Sequence, residues 1–285
     1  MSDSSSDEEA TESLISRAPA LSNADPEGES EALWEVVQGL HCRPEERVFR
    51  AASDWCSSRA PLERRLGADV LGQLGHADDD DEDDDEQSGS PFGERSLPLV
   101  RSLLQDEDAR VLHSAVVALG HLANAGVEWD GALLEPLSAH PDPEVREAVA
   151  FALGGGPCDG SAAAVGIQLR LMSDPDDEVR SWAAFGLAVS DADGAEIRAA
   201  FLARLADSVA HVRGEAMFGL ALRRDERVVE ALLSELGSDD VSQRAIDAAA
   251  ELPRAEFLPH LEALLEANPD DESIQQAVDA CDELA

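Results

Sequence analysis

One twelve-residue pattern recurs along this chain. Residues 144–155 read EVREAVAFALGG, residues 178–189 read EVRSWAAFGLAV and residues 211–222 read HVRGEAMFGLAL. The pattern also runs through residues 109–122, ARVLHSAVVALGHL, and more loosely through residues 63–75, ERRLGADVLGQLG. Gly72, Gly120, Gly154, Ala188 and Ala221 share one register, and the last four lie 34, 34 and 33 residues apart. A fixed period of this size means stacked copies of one supersecondary unit.

Each copy reads as a helical hairpin. Its first helix is leucine-rich, at residues 97–104, 131–137, 165–172, 195–205, 228–236 and 257–265. An acidic turn follows, as in AHPDPEVR and SDPDDEVR. Asp and Pro suit it because they cap the next helix and fix φ. The second helix opens on a Val-Arg pair. Val111, Val145, Val179 and Val212 stand eight residues before Leu119, Leu153, Leu187 and Leu220, with Ala115, Ala183 and Ala216 midway in three of the copies. That spacing is one buried helical stripe. Small residues (Ala115/Ala118, Ala148/Ala152, Ala183/Gly186, Ala216/Gly219) let neighbouring helices approach closely.

Charge narrows the partners. The chain has 285 residues, a net charge of −40, and no lysine: all 21 basic residues are arginine. Residues 1–30 carry −7, residues 78–86 (DDDDEDDDE) carry −9, and the remaining −24 is spread over the body. Such a field repels nucleic acid and anionic membrane surfaces. It suits a salt-rich cytoplasm; a GC-rich genome accounts for the missing lysine but not for the net charge. No apolar run approaches a membrane span, and the N-terminus lacks the basic and apolar regions of a signal peptide, so a cytoplasmic monomer is expected. Cys42, Cys56, Cys158 and Cys281 include no CxxC pair and suggest neither a zinc site nor a disulfide framework.

Residues 1–30, rich in Ser, Asp, Glu, Pro and Gly, are expected to be a disordered acidic tail. Residues 31–285 form the repeat domain, with residues 76–94 a disordered acidic insert. Helices are expected from about residue 31, over residues 45–56, and from Pro61 to a stop at Gly75. The unit at 241–252 is degenerate, and residues 273–284 read as a terminal cap with a polar outer side.

The turn D-P-x-x-x-V-R and the helix V-R-x-x-A-x-x-(A/G)-L-(G/A) resemble HEAT repeats of the short bacterial type known as PBS-lyase HEAT-like repeats. The likeness covers about residues 63–252, with Asp142/Val145/Arg146 and Asp176/Val179/Arg180 the clearest copies. It implies an all-α, right-handed α-α superhelix, a HEAT-like solenoid of about six or seven hairpins. It also implies a ladder in which the turn Asp and the Arg of successive units hold the stack in register. Arg146, Asp174, Arg180, Asp207 and Arg213 fit it, whereas Leu112 and His140 interrupt it.

Three function classes follow. The first is a non-catalytic scaffold that binds a partner protein, of basic character given the field, on the concave surface that such arrays present. The column six residues after the Val contains Phe151, Phe185 and Phe218; three residues after it stand Trp182 and Glu215. Trp182 and Phe185 share a helix face. Aromatic residues of this kind either pack the core between repeats or anchor an interface, and the sequence leaves both open. The second class is an enzyme. The HEAT-like relative deoxyhypusine hydroxylase holds its iron through His-Glu dipeptides, and none occurs here. Histidines 41, 76, 113, 121, 140, 211 and 260 are scattered. His113 and His121 read as solvent or cap residues, and no catalytic residue, metal ligand or cofactor is expected. The third class is a phycobilin-lyase-like maturation factor, suggested by the repeat's name alone.

Overall fold

The computed structural model describes residues 3–26, 28, 30–75, 91–154, 161–238 and 241–283. Every regular element among them is helical. The run at residues 78–86, Cys158 and the glycines at 155–156 lie outside the described residues. The chain divides into two compact units, Met1–Cys158 and Asp159–Ala285.

The first unit contains α1 (Asp3–Ala24), α2 (Glu31–His41), α3 (Glu46–Cys56), α4 (Pro61–Gln73), α5 (Gly93–Leu103), α6 (Ala109–Asn124) and α7 (Pro143–Leu153). Helices α4, α6 and α7 pack side by side. Ser30 caps α2 by accepting from Leu33 N–H, and α4 has Pro61 in its first turn. The chain leaves α4 through Gly75, whose φ of +87° favours glycine and whose N–H donates to the His41 carbonyl at 2.9 Å. The stripe through Val111, Ala115 and Leu119 is wholly buried. Gly72 is where α4 meets α6: a Cβ there would lie 2.8 Å from Ala118 Cα.

Three expectations change in this unit. The N-terminal segment is not a disordered tail over its whole length, because Asp3–Ala24 is a helix. Thr11, Ala18 and Ser22 are buried on one face of it. Thr11 Oγ1 donates to Glu45 Oε1 at 3.0 Å, and Ser22 Oγ donates to the Leu62 carbonyl at 3.0 Å. The acidic composition hid a face that repeats at helical spacing. The expected insert also ends earlier than residue 94. Phe92 is buried, its ring stacks on Phe49 at 5.2 Å, and Gly93 opens α5. Lastly, the expected helix at residues 131–137 is two short 3₁₀ turns, Gly131–Leu134 and Leu137–Ala139. Pro136 stands between them and lacks the N–H that a continuous helix needs.

The second unit contains α8 (Ala162–Leu171), α9 (Asp177–Val189), α10 (Ala195–Arg204), α11 (Ala210–Leu222), α12 (Val229–Leu236), α13 (Gln243–Glu251), α14 (Leu258–Ala267) and α15 (Glu272–Asp282). These are four hairpins, α8/α9, α10/α11, α12/α13 and α14/α15, whose second helices α9, α11, α13 and α15 pack in a row. The N-termini of α9, α13 and α15 are capped by turn residues the sequence supplies, whereas α11 starts after Val209 with no side-chain cap. Asp176 accepts from Glu178 and Val179 N–H, Ser242 from Ala245 N–H, and Asp271 from Ser273 and Ile274 N–H. Val179, Ala183, Val212, Ala216 and Leu220 are fully buried. Burying each Val or Leu stabilises by about 1.5–3 kcal/mol, which makes the stripe the main support of this unit.

Candidate functional site

Two sets of side chains recur at the start of the second helices, and they separate by environment. The first is a set of arginines turned back to the turns. Arg180 donates through Nη1 to the carbonyls of Asp174 and Pro175, at 3.0 and 3.1 Å. Its Nε and Nη2 form a fork on Asp207 at 2.9 and 3.0 Å. Arg64 repeats this arrangement in the first unit. Its Nη1 reaches the carbonyls of Ser58 and Arg59, and its fork takes Asp106 at 2.6 and 2.8 Å. Arg146 donates to the carbonyls of His140 and Pro141, and Arg213 to those of Asp207 and Ser208. Asp174 and Asp207 also accept backbone N–H groups, from Asp176 and Val209. Arg180 and Asp207 are both largely buried. Bidentate charge-assisted pairs such as Arg180–Asp207 and Arg64–Asp106 fix the geometry of their partners strongly.

The second set faces outward on α9, α11 and α13. Trp182 and Phe185 meet edge to face at 5.8 Å between ring centroids. Glu215, one helix along, accepts from Arg244 Nε through Oε1 at 2.8 Å. Arg244 also donates to Asp247 at 3.3 Å, and its guanidinium lies 5.4 Å from the Phe185 ring and 4.8 Å from the Phe218 ring. Glu178, Ser181, Trp182, Phe185, His211, Glu215 and Arg244 line an open groove of about 420 Å³. Trp182, Phe185, Glu215 and Phe218 are all half-buried. Burial pushes the Glu215 carboxyl above its ordinary range, against the opposing pull of Arg244. Its Oε2 is buried and accepts no hydrogen bond.

Four of the five expected binding residues thus lie together: Trp182, Phe185, Glu215 and Phe218. Phe151 belongs to the first unit, where it is half-buried with its ring edge-on to His121 at 5.5 Å. The sequence reading missed Arg244, because its unit lacks the Val-Arg pair that sets the register elsewhere. Arg64 was findable: it stands eight residues before Gly72, as Arg146 stands eight before Gly154.

A second cleft, of about 310 Å³ in the first unit, has Trp34, His41, Asp69, His113 and His121 among its walls. His113 and His121 are both half-buried and line this cleft, His121 from the last turn of α6. The turn of α6 places both on one side. Burial lowers the His113 pKa and raises that of Asp69, whose carboxyl accepts from Ser114. Among the described residues one group of possible metal ligands converges, Asp177, Glu178 and His211, with ligand atoms within 4.8 Å of one another. Glu178 and His211 are 58% and 46% exposed, and a surface this acidic produces such groups without an ion. No helix among the described residues is long and apolar enough to cross a membrane.

Fold and groove together define an all-α helical-repeat protein, a HEAT-like solenoid that presents an aromatic-acidic face on consecutive second helices. Protein YibA of Escherichia coli K12 is similar to it, with 28% identity over 244 residues, 84% of this chain and 82% of YibA. The crystal structure of E. coli YibA matches with a TM-score of 0.65 at 25% identity, over 96% of this chain and 95% of that one. The crystal structure of an engineered protein matches with a TM-score of 0.52 at 19% identity, covering 93% and 77% of the two chains, and speaks to the fold alone. No family profile matches the chain.

Proposed function

We propose that this chain is a non-catalytic scaffold that seats a basic partner protein on the face formed by α9, α11 and α13. The observation that carries this reading is the groove lined by Trp182, Phe185 and Glu215. Arginines that serve the fold turn toward the interrepeat turns, whereas these side chains stay half-buried around an open concavity. Aromatic anchors beside a charged group are the usual composition of an interface centre, and a net charge of −40 favours a partner of opposite sign.

The test uses the tagged full-length chain in lysate of its own host, at the host's internal salt, beside a Trp182→Ala/Phe185→Ala variant. Support requires a stoichiometric partner that the wild type retains and the variant loses, with the variant's melting temperature unchanged. Retention of the same partner by the variant refutes this face as the site. A large drop in melting assigns the pair to the core instead. A visible absorbance scan of the same preparation tests the competing maturation-factor reading, since a coloured protein without a partner would favour it.

A further inference from the structure

We infer that the groove between α9, α11 and α13 takes one cationic side chain, a lysine or arginine presented by a basic segment of the partner. This rests on the scaffold reading and specifies what that face recognises.

Three observations converge on a cation. The first is Glu215. Its side chain is only 12% exposed, its Oε1 takes Arg244, and its Oε2 is buried without a partner. A buried acceptor left unmade is costly, and a donor that reaches it as the groove side chains shift removes that penalty. The second is the wall. Trp182 and Phe185 present aromatic rings to the groove, and such rings attract cations. Arg244 already uses this property, with its guanidinium over Phe185 and Phe218. The third is the rim. Glu178 is 58% exposed at the edge, with Asp177 beside it and the Ser181 hydroxyl in the lining. Arg244, the permanent cation of the lining, is held by Glu215 and Asp247. An acidic side chain would meet carboxylates on entry. An apolar one would bring Glu215 Oε2 no donor. A lysine or arginine supplies the donor, the charge and the contact with the rings.

The experiment follows the indole N–H signals of the full-length chain by nitrogen-15 NMR. Four tryptophans (Trp34, Trp55, Trp129 and Trp182) give a small set, and a Trp182→Phe variant assigns the signal of interest. The probes are N-acetyl-arginine amide and N-acetyl-lysine amide. N-acetyl-citrulline amide serves as the neutral counterpart and N-acetyl-glutamate amide as the anionic one, all at one ionic strength. The expected result is a saturable shift of the Trp182 signal with the cationic probes and none with the other two. Glu215→Gln should weaken binding by about tenfold or more, the scale of a hydrogen bond to a charged group. Glu178→Gln, on the exposed rim, should weaken it by roughly two- to fivefold. Glu178→Gln also keeps the test decisive if Glu215→Gln disturbs Arg244.

Equal response to citrulline or glutamate overturns the proposal. So does cation binding that neither substitution weakens, or a Trp182 signal that no cation moves. If the probes fail while the Trp182→Ala/Phe185→Ala variant still loses its partner, the cation pocket falls and the scaffold reading stands. If the partner survives that variant, the scaffold reading itself falls.

Discussion

Asp207→Ala is the sharpest test of what holds the second unit in register. The substitution deletes both bonds from the Arg180 fork, the bond from Val209 N–H at 3.2 Å and the bond from Arg204 Nη1 at 3.3 Å. Asp207 and Arg180 side chains are 5% and 10% exposed, so water replaces little of what is lost. Removing one partner of a buried ion pair destabilises by about 3–5 kcal/mol. Arg180 keeps its two carbonyl contacts through Nη1, which places the expected loss near the lower end, about 3 kcal/mol. Arg180→Met should cost about 2–3 kcal/mol on the same reasoning, because Asp207 retains Val209 and Arg204. The double variant contains neither charge, so it should cost less than the sum of the singles by about 1.5 kcal/mol or more. The assay is urea unfolding followed by far-ultraviolet circular dichroism, with shared slopes required before midpoints are compared. Single-variant costs that add to within about 0.5 kcal/mol would show that the pair is not coupled. The pair would then not be what holds the hairpins in register, however well formed the fork.

Three further contacts carry expected outcomes of their own. Arg223 donates to the carbonyls of Leu187, Ala188, Ser190 and Ala192 and so closes the C-terminal end of α9; Arg223→Met should cost about 2–3 kcal/mol by leaving those acceptors unmet, and amide exchange should accelerate over residues 187–192 before it does elsewhere. Asp225 has its carboxyl held down to about 2, first by the hydrogen bond from Arg227, then against burial by the Arg227 N–H and Arg198. Because that folded value lies below the unfolded one, its contribution to stability is present above roughly pH 4 and is lost as pH falls toward about 2; carboxyl carbon NMR should place the midpoint there, and a midpoint near 4 would refute the pairing. Burial pushes the Cys56 thiol up to about 12, whereas Cys42 is exposed, so iodoacetamide at pH 8 should label Cys42 readily and leave Cys56 unmodified in peptide mass maps.

The repeat body was legible because its signals are local and periodic. Val179, Ala183 and Leu187 sit on one side of a helix by spacing alone, and all three are buried. The acidic turns announced their caps, and Asp176 and Asp271 provide them. What escaped were places where composition and local pattern disagree. In α1 the acids dominate the average, yet residues 11, 14, 15, 18 and 22 return to one face. Leu14 reaches Gly39, where a Cβ would lie 3.1 Å from Leu14 Cδ1, so the helix has a surface to pack on. A composition argument cannot see that surface, because α2 supplies it. Before α7 the leucines persist while Pro136 removes the hydrogen bond that would join the two 3₁₀ turns, and packing alone keeps Leu134 and Leu137 buried.

The groove residues were named from the sequence, but whether they are core or surface stayed open, for a different reason. With about 100° of turn per residue, positions three and six after each Val lie about 60° and 120° around the helix from the core stripe. Spacing therefore places Trp182 and Glu215 at the stripe's margin and Phe185 and Phe218 beyond it, where the next helix decides between core and surface. On α11 and α13 that decision is made by Arg244. It occupies the rings of Phe185 and Phe218 and one oxygen of Glu215, but leaves the other oxygen unpaired. Had this margin been core, economy would favour an apolar residue at 215, since a well-packed hydrophobic side chain is often at least as stabilising there as a buried ion pair. A carboxylate that is paired on one side and unmatched on the other, beside exposed carboxylates and aromatic rings, is costly for the folded chain alone. On the proposed reading, that cost is recovered when a donor enters the groove.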